Sequence, residues 1–136
     1  MKAELTGTWL VEGAIEGEVL RLDAPLSFWG GFDHANGRII DHNHPQFGAC
    51  LTQRVVAMPG SRGSSGTPGV LGESIRRGTG PAAIVLTKAD VNLAVGALTA
   101  QALYGFTCPI LLVDQARFDT LADAAVVCAN PSTERS

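Results

Sequence analysis

"PAAIVLTK", residues 81–88, is a short apolar run of the kind buried on both faces of a parallel sheet. "DVNLAVGALTAQALYG", residues 90–105, follows it with a helical pattern: Asp90 as N-cap, apolar residues at Leu93, Val95, Leu98 and Leu103, and Gly105 as the stop. "PILLV", residues 109–113, then repeats the buried-strand pattern. Strand, helix and strand in that order predict an α/β unit.

Upstream, "PGVLGESIRRG" places Val70, Leu71, Ser74 and Ile75 at helical spacing and ends on Arg76, Arg77 and Gly78, a basic last turn followed by a glycine stop. A strand is expected over Gln53 to Met58. "APLSFWGGFDHANGRIIDHNHP" carries Pro25, the Gly30-Gly31 pair and the turn signal Asn36-Gly37 ahead of a short strand at Arg38 to Ile40. Gly7 to Leu22 is rich in β-formers and broken by Gly13 and Gly17, which predicts one long bent strand or a hairpin. Downstream come a helical turn around Phe118 to Leu121, a last strand in "AAVVC" and a frayed tail from residue 130 to 136. The expected architecture is one mixed α/β domain over residues 1–136, strands and glycine turns in its first half and strand–helix alternation in its second, in which a β-rich, barrel-like sheet carries helices on one or both faces.

The 136 residues are 46% hydrophobic and 17% charged, with net charge −3, so there is no basic stripe to neutralise a phosphate backbone and no nucleic-acid partner is expected. The N-terminal region has no apolar core for a secretory signal, and no run is long enough to span a bilayer. A cytoplasmic protein without a membrane partner is expected. Cys50, Cys108 and Cys128 form no close pair, which argues against a disulfide framework or a self-contained metal site and predicts three reduced, buried thiols.

"MPGSRGSSGTPGVL", residues 58–71, is the first site candidate. It leads into a predicted helix whose first-turn N–H groups and dipole favour an anion, and its glycines at 60, 63 and 66 allow a ligand close to the backbone. The alternative is simple capping by Ser64, Ser65 or Thr67, with Pro68 at the first helical position. No Walker lysine and no GxSxG elbow is present. "IIDHNHP" sets Asp41, His42 and His44 together, a set suited to metal ligation or proton transfer or, alternatively, to a solvated turn. His34 reads as a turn residue, and Phe28 and Trp29 as core or interface.

"LSFWGGFDHANGRIIDHNHPQFG", "MPGSRGSSGTPGVLGESIRRG", "PAAIVLTKAD" and "ALYGFTCPILLV", in this order and spacing from Leu26 to Val113, resemble the small, swivelling subunit of the aconitase X family. The resemblance implies a swivelling β/β/α domain that closes over a large subunit carrying an iron–sulfur cluster, with no metal on this chain itself. It implies a dehydratase, active only with that partner, acting on a small hydroxy-carboxylate. In some bacterial members the substrate is cis-3-hydroxy-L-proline, yielding Δ1-pyrroline-2-carboxylate. In archaeal members it is mevalonate 5-phosphate.

In aconitases a GSSR segment supplies a serine base. Its first serine falls on Ser64 and its second, which would hold the substrate carboxylate, on Ser65. Gly63 precedes them, while the arginine that follows them in aconitase is Gly66 here. Arg62 would then supply the missing charge from the other side, with Asp41 and His44 completing the pocket wall. A serine base requires an alkoxide stabilised by N–H dipoles and cations in a dry site, and departing hydroxide would go to the partner's metal. The composition lacks the Lys/Glu enrichment of hyperthermophiles, which favours the hydroxyproline branch. The alternatives are phosphomevalonate dehydration, a non-catalytic anion-binding swivel module, and a hydrolase acting alone.

Overall fold

The computed structural model describes residues 3–60 and 66–131. In chain order the elements are β1 (Ala3–Glu4), β2 (Thr8–Val11), β3 (Ile15–Arg21), α1 (Phe28–Gly31), β4 (Phe32–Asp33), β5 (Arg38–Ile39), β6 (Val55–Met58), α2 (Thr67–Arg77), β7 (Ala83–Leu86), α3 (Val91–Tyr104), β8 (Ile110–Leu112), α4 (Gln115–Thr120) and β9 (Val126–Ala129). Seven strands form one sheet in the order β1-β9-β3-β6-β7-β8-β2, and β4 and β5 form a separate hairpin. The predicted tail lies mostly beyond the described residues.

β2 and β3 are consecutive in sequence but lie four strands apart in the sheet. Laid flat, that separation is about 19 Å at the usual inter-strand spacing. Only Glu12, Gly13 and Ala14 join them, and the four steps from Val11 to Ile15 reach at most about 14 Å. The sheet therefore curls until its β2 edge swings back toward β3, making a half-barrel. Gly13 serves this link directly, because a Cβ there would sit 2.6 Å from Pro109 Cγ. The expectation of one bent strand or a hairpin over Gly7 to Leu22 is thus corrected. Neither strand pairs with the other, and β2 instead runs antiparallel to β8.

Curling gives the apolar strands an inside and an outside. On β6, Val55 and Ala57 face the interior while Val56 and Met58 face out; on β7, Ala83 and Val85 oppose Ile84 and Leu86 in the same way. Phe118 and Leu121 at α4 fill the interior. Leu71 and Ile75 of α2, with Leu93, Ala97 and Ala100 of α3, cover the outer face. This is the expected β/β/α arrangement with a barrel-like sheet.

Both long helices end as read. Gly78 and Gly105 take left-handed φ of 78° and 76°, and the Asp90 carboxylate accepts from the N–H groups of Asn92 and Leu93. The face of α3 differs from expectation. Of its four singled-out apolar residues only Leu93 is buried, while Val95, Leu98 and Leu103 are exposed. Small residues do the packing: Gly96 lies so close to α2 that a Cβ there would be 3.0 Å from Pro68 Cα.

The three cysteines are free, but only Cys108 is buried; Cys50 and Cys128 are half-buried, contrary to the expected burial of all three. Burial pushes the Cys108 thiol up to about 12. At Cys50 burial also opposes ionisation, but the hydrogen bonds with Thr52 and the charges of Arg38 and Arg54 outweigh it and hold the thiol below its ordinary value. Thiolate is the form that reacts. Iodoacetamide at pH 8 should therefore alkylate Cys50 well before Cys108, with Cys108 reacting only once denaturant is added. Peptide mass mapping of a time course reads the order, and equal native rates would contradict it.

Candidate functional site

β3, β6, β7 and β8 are mutually parallel, so their carboxyl ends share one edge of the half-barrel. Ligands of open α/β sheets bind outside that edge. Four connections leave from it: the long excursion from Leu22 carrying the β4–β5 hairpin, the residues from Pro59 to Gly66, the turn from Thr87 to Asp90, and the short link from Val113 into α4. The Thr87 hydroxyl donates to the Pro59 carbonyl oxygen at 2.5 Å and locks two of them together.

α2 starts at this edge. Pro68 occupies its first turn and its N-cap is Gly66, which has no side chain to accept from the first-turn N–H groups. The alternative of a Thr67 cap does not hold: Thr67 is fully buried and its hydroxyl has no hydrogen-bond partner among the described residues.

Trp29 lies against Gly66. A Cβ on Gly66 would be 2.6 Å from Trp29 Cε3 and 2.7 Å from Cδ2, so only glycine admits the indole there. The local sequence explains the placement. Phe28 and Phe32 are anchored in the core with ring centroids 5.1 Å apart, and between them Gly30, at φ 86°, turns the chain so that Trp29 is left 62% exposed. Phe28 is core, as read, but Trp29 is neither core nor covered. With His34, Gly69, Val70 and Glu73 it lines a cavity of about 320 Å³ at the mouth of α2. His34 Nδ1 is buried there with no hydrogen-bond partner among the described residues. Glu73, hydrogen-bonded by Arg76 and Arg77, has its carboxyl held down at about 2.

Arg62, Gly63, Ser64 and Ser65, the centre of the sequence-based site, lie outside the described residues; Gly60 and Gly66 bracket them. Asp41 and His44 are described and sit elsewhere in the excursion. Asp41 accepts from the Asn43 N–H at 2.9 Å, shaping a tight turn. His44 is buried, its Nε2 donating to the Ala24 carbonyl at 3.0 Å and its Nδ1 accepting from the Gln46 N–H at 3.0 Å. With both ring nitrogens committed to backbone, His44 is suited to bracing the excursion rather than to a pocket wall. His42 stacks on Phe47 at 4.4 Å.

Among the described residues no group of three or more His, Cys, Asp or Glu could hold a metal ion. Cys50 pairs with Thr52, Cys108 is buried ahead of β8 and Cys128 is on β9, so they do not converge as cluster ligands. A larger cavity, of about 470 Å³, lies at the opposite edge between the end of α2 and the start of β7. Its carbonyls are capped by Gly78 and its two arginines are engaged by Glu73, so the smaller cavity at the carboxyl edge is the better candidate. Sequence reasoning passed over Trp29 and His34 as site residues. The available signal was an aromatic followed directly by a glycine pair and bracketed by two phenylalanines.

The family model of the aconitase X swivel domain matches residues 4–135. A cis-3-hydroxy-L-proline dehydratase of Pseudomonas aeruginosa is 45% identical over 83% of this chain, but the match covers only 19% of that protein. A phosphomevalonate dehydratase small subunit of Methanopyrus kandleri is 45% identical over 63% of this chain and 64% of its own length. Among solved structures, aconitase X of Thermococcus kodakaraensis in its holo-form superposes with a TM-score of 0.80 at 25% identity, covering 90% of this chain and 88% of that one. Curled sheet, helical cover and carboxyl-edge site thus coincide with a match along nearly the whole chain: it belongs to the aconitase X swivel-domain family.

Proposed function

We propose that this chain is the small, closing subunit of a heteromeric aconitase X dehydratase, with cis-3-hydroxy-L-proline as substrate and Ser64 as catalytic base. The observation that carries the reading is the start of α2, a helix N-terminus with a glycine N-cap at the carboxyl edge, directly after the Ser64-Ser65 pair. Over matches that span four fifths of this chain or more, the hydroxyproline enzymes are 45% and 34% identical and the phosphomevalonate small subunit of Methanosarcina acetivorans 27%, which favours that substrate over mevalonate 5-phosphate.

Dehydration beside a carboxylate removes a carbon-bound proton and expels hydroxide, while negative charge grows on the carboxylate. Ser64, as an alkoxide, takes that proton. Ser65 and the first-turn N–H groups of α2 face the carboxylate, where fixed dipoles stabilise the developing charge without reorganising. Arg62 adds a cation to the same field and favours the alkoxide. Gly63 keeps the backbone low enough for the substrate to approach. Asp41 and His44 shape and brace the excursion beside the pocket. Trp29 positions the helix start through its contact with Gly66 and shields the cavity from water. The described residues do not fit an iron–sulfur cluster, which in this reading belongs to the large partner.

In the two-subunit complex, Ser64→Ala should lower kcat by about 10²- to 10⁴-fold while the subunits still copurify. Turnover near the unmutated rate would remove Ser64 from the base role. Gly66→Ala pushes a methyl into the indole, so KM for cis-3-hydroxy-L-proline should rise several-fold, and adding Trp29→Ala should recover part of that loss. Steady-state kinetics of the single and double variants check the coupling, and strictly additive losses would refute it.

A further inference from the structure

α3 carries no charged side chain, and its polar residues are few: Asn92, Thr99, Gln101 and Tyr104. Its small residues seat it on α2 and the sheet, while its outward face exposes Val91 (74%), Val95 (44%) and Leu98 (49%) at the spacing of one helical stripe. Together with Leu10, Ala94 and Asp90 these residues form a groove of about 250 Å³ lined almost wholly by carbon. A helix this apolar is ordinarily buried. Within the described residues nothing covers this one.

We infer that this groove is the docking surface for the large subunit. Two observations name that occupant rather than another. The cis-3-hydroxy-L-proline dehydratase relative carries the matching segment as only 19% of its length, so this domain has a much larger body to meet in that protein. The groove also begins at the same carboxyl edge as the candidate site. Asp90 at its end closes the turn that begins at Thr87, and Thr87 is hydrogen-bonded to Pro59 at the approach to the site. A stable complex buries roughly 800 Å² on each partner, more than the groove offers. A body that covers the site mouth at Trp29 and the groove at Val91 in one continuous contact meets that need. The complementary surface is apolar, a helix or loop with aliphatic or aromatic side chains.

This inference rests on the reading of the chain as one half of a two-part dehydratase, and it is tested by assembly rather than by turnover. Tagged small chain carrying Val95→Asp with Leu98→Asp is co-expressed with its large aconitase X subunit, and the large subunit retained on the tag is quantified. Retention should fall at least ten-fold, with the circular dichroism spectrum and melting temperature of the isolated small chain unchanged. Val91→Asp, at the helix's first residue, should weaken retention without touching the core, which guards against a folding artefact. Val126→Asp, an exposed apolar site on β9, should leave retention intact. Undiminished retention in the double variant overturns the inference. So does an isolated wild-type chain that dimerises through this face and becomes monomeric on substitution while the heteromer persists. A complex that assembles normally but dehydrates neither substrate would instead overturn the functional reading and leave the docking result standing.

Discussion

Three residues, Glu12 to Ala14, have to bridge strands that lie four positions apart, and most of the architecture follows from that short tether. A flat sheet cannot satisfy it. Once the sheet curls, the parallel strands acquire a concave face that must be filled, and Phe118 and Leu121 fill it. Arg21 fastens that plug, its guanidinium donating to the carbonyls of Phe118 and Leu121 at 2.9 and 2.7 Å and lying 4.6 Å from the Phe118 ring centroid. The convex face is left to α2 and α3, so both helices start from the carboxyl edge with their amino ends directed at it. The tether thus fixes where an anion-favouring helix start can stand.

Local chemistry was the legible part. Asp90, Gly78 and Gly105 announced helix ends because capping depends on residues within a turn of the boundary. The four-residue apolar strands were readable because both faces of β6 and β7 are buried. Strand order was not, since alternation in Gly7 to Leu22 says that strands form but not which neighbours they find. Nor was the buried side of α3: with apolar residues all round, no periodicity distinguishes sheet from solvent, and the decision rests on where Gly96, Ala97 and Ala100 permit close approach. In the site, the run leading into α2 was legible as a pattern, whereas Trp29 and His34 reach it only through the fold, from more than thirty residues upstream.

Gly66 carries a similar lesson. Set beside aconitase, where arginine follows the two serines, it looks like a lost cation. In the structure the position has no room for a side chain, because the indole of Trp29 occupies it. Glycine and tryptophan therefore belong together, and the aromatic wall stands where the charged side chain would begin. The contact also explains an exposed tryptophan that core packing does not require.

A glycine N-cap is weaker than serine or aspartate by only a few tenths of a kcal/mol. What the glycine changes is chemical rather than energetic: it puts no side-chain oxygen of its own at the start of α2. In the proposed site a substrate carboxylate would meet the first-turn N–H groups, and covering the mouth would lower the dielectric and strengthen that interaction. The gain appears only when the mouth is covered. A half-site of this kind is best carried on a body that can close, and the unpartnered apolar stripe of α3, beginning at the same edge, lies where a closing partner would make contact.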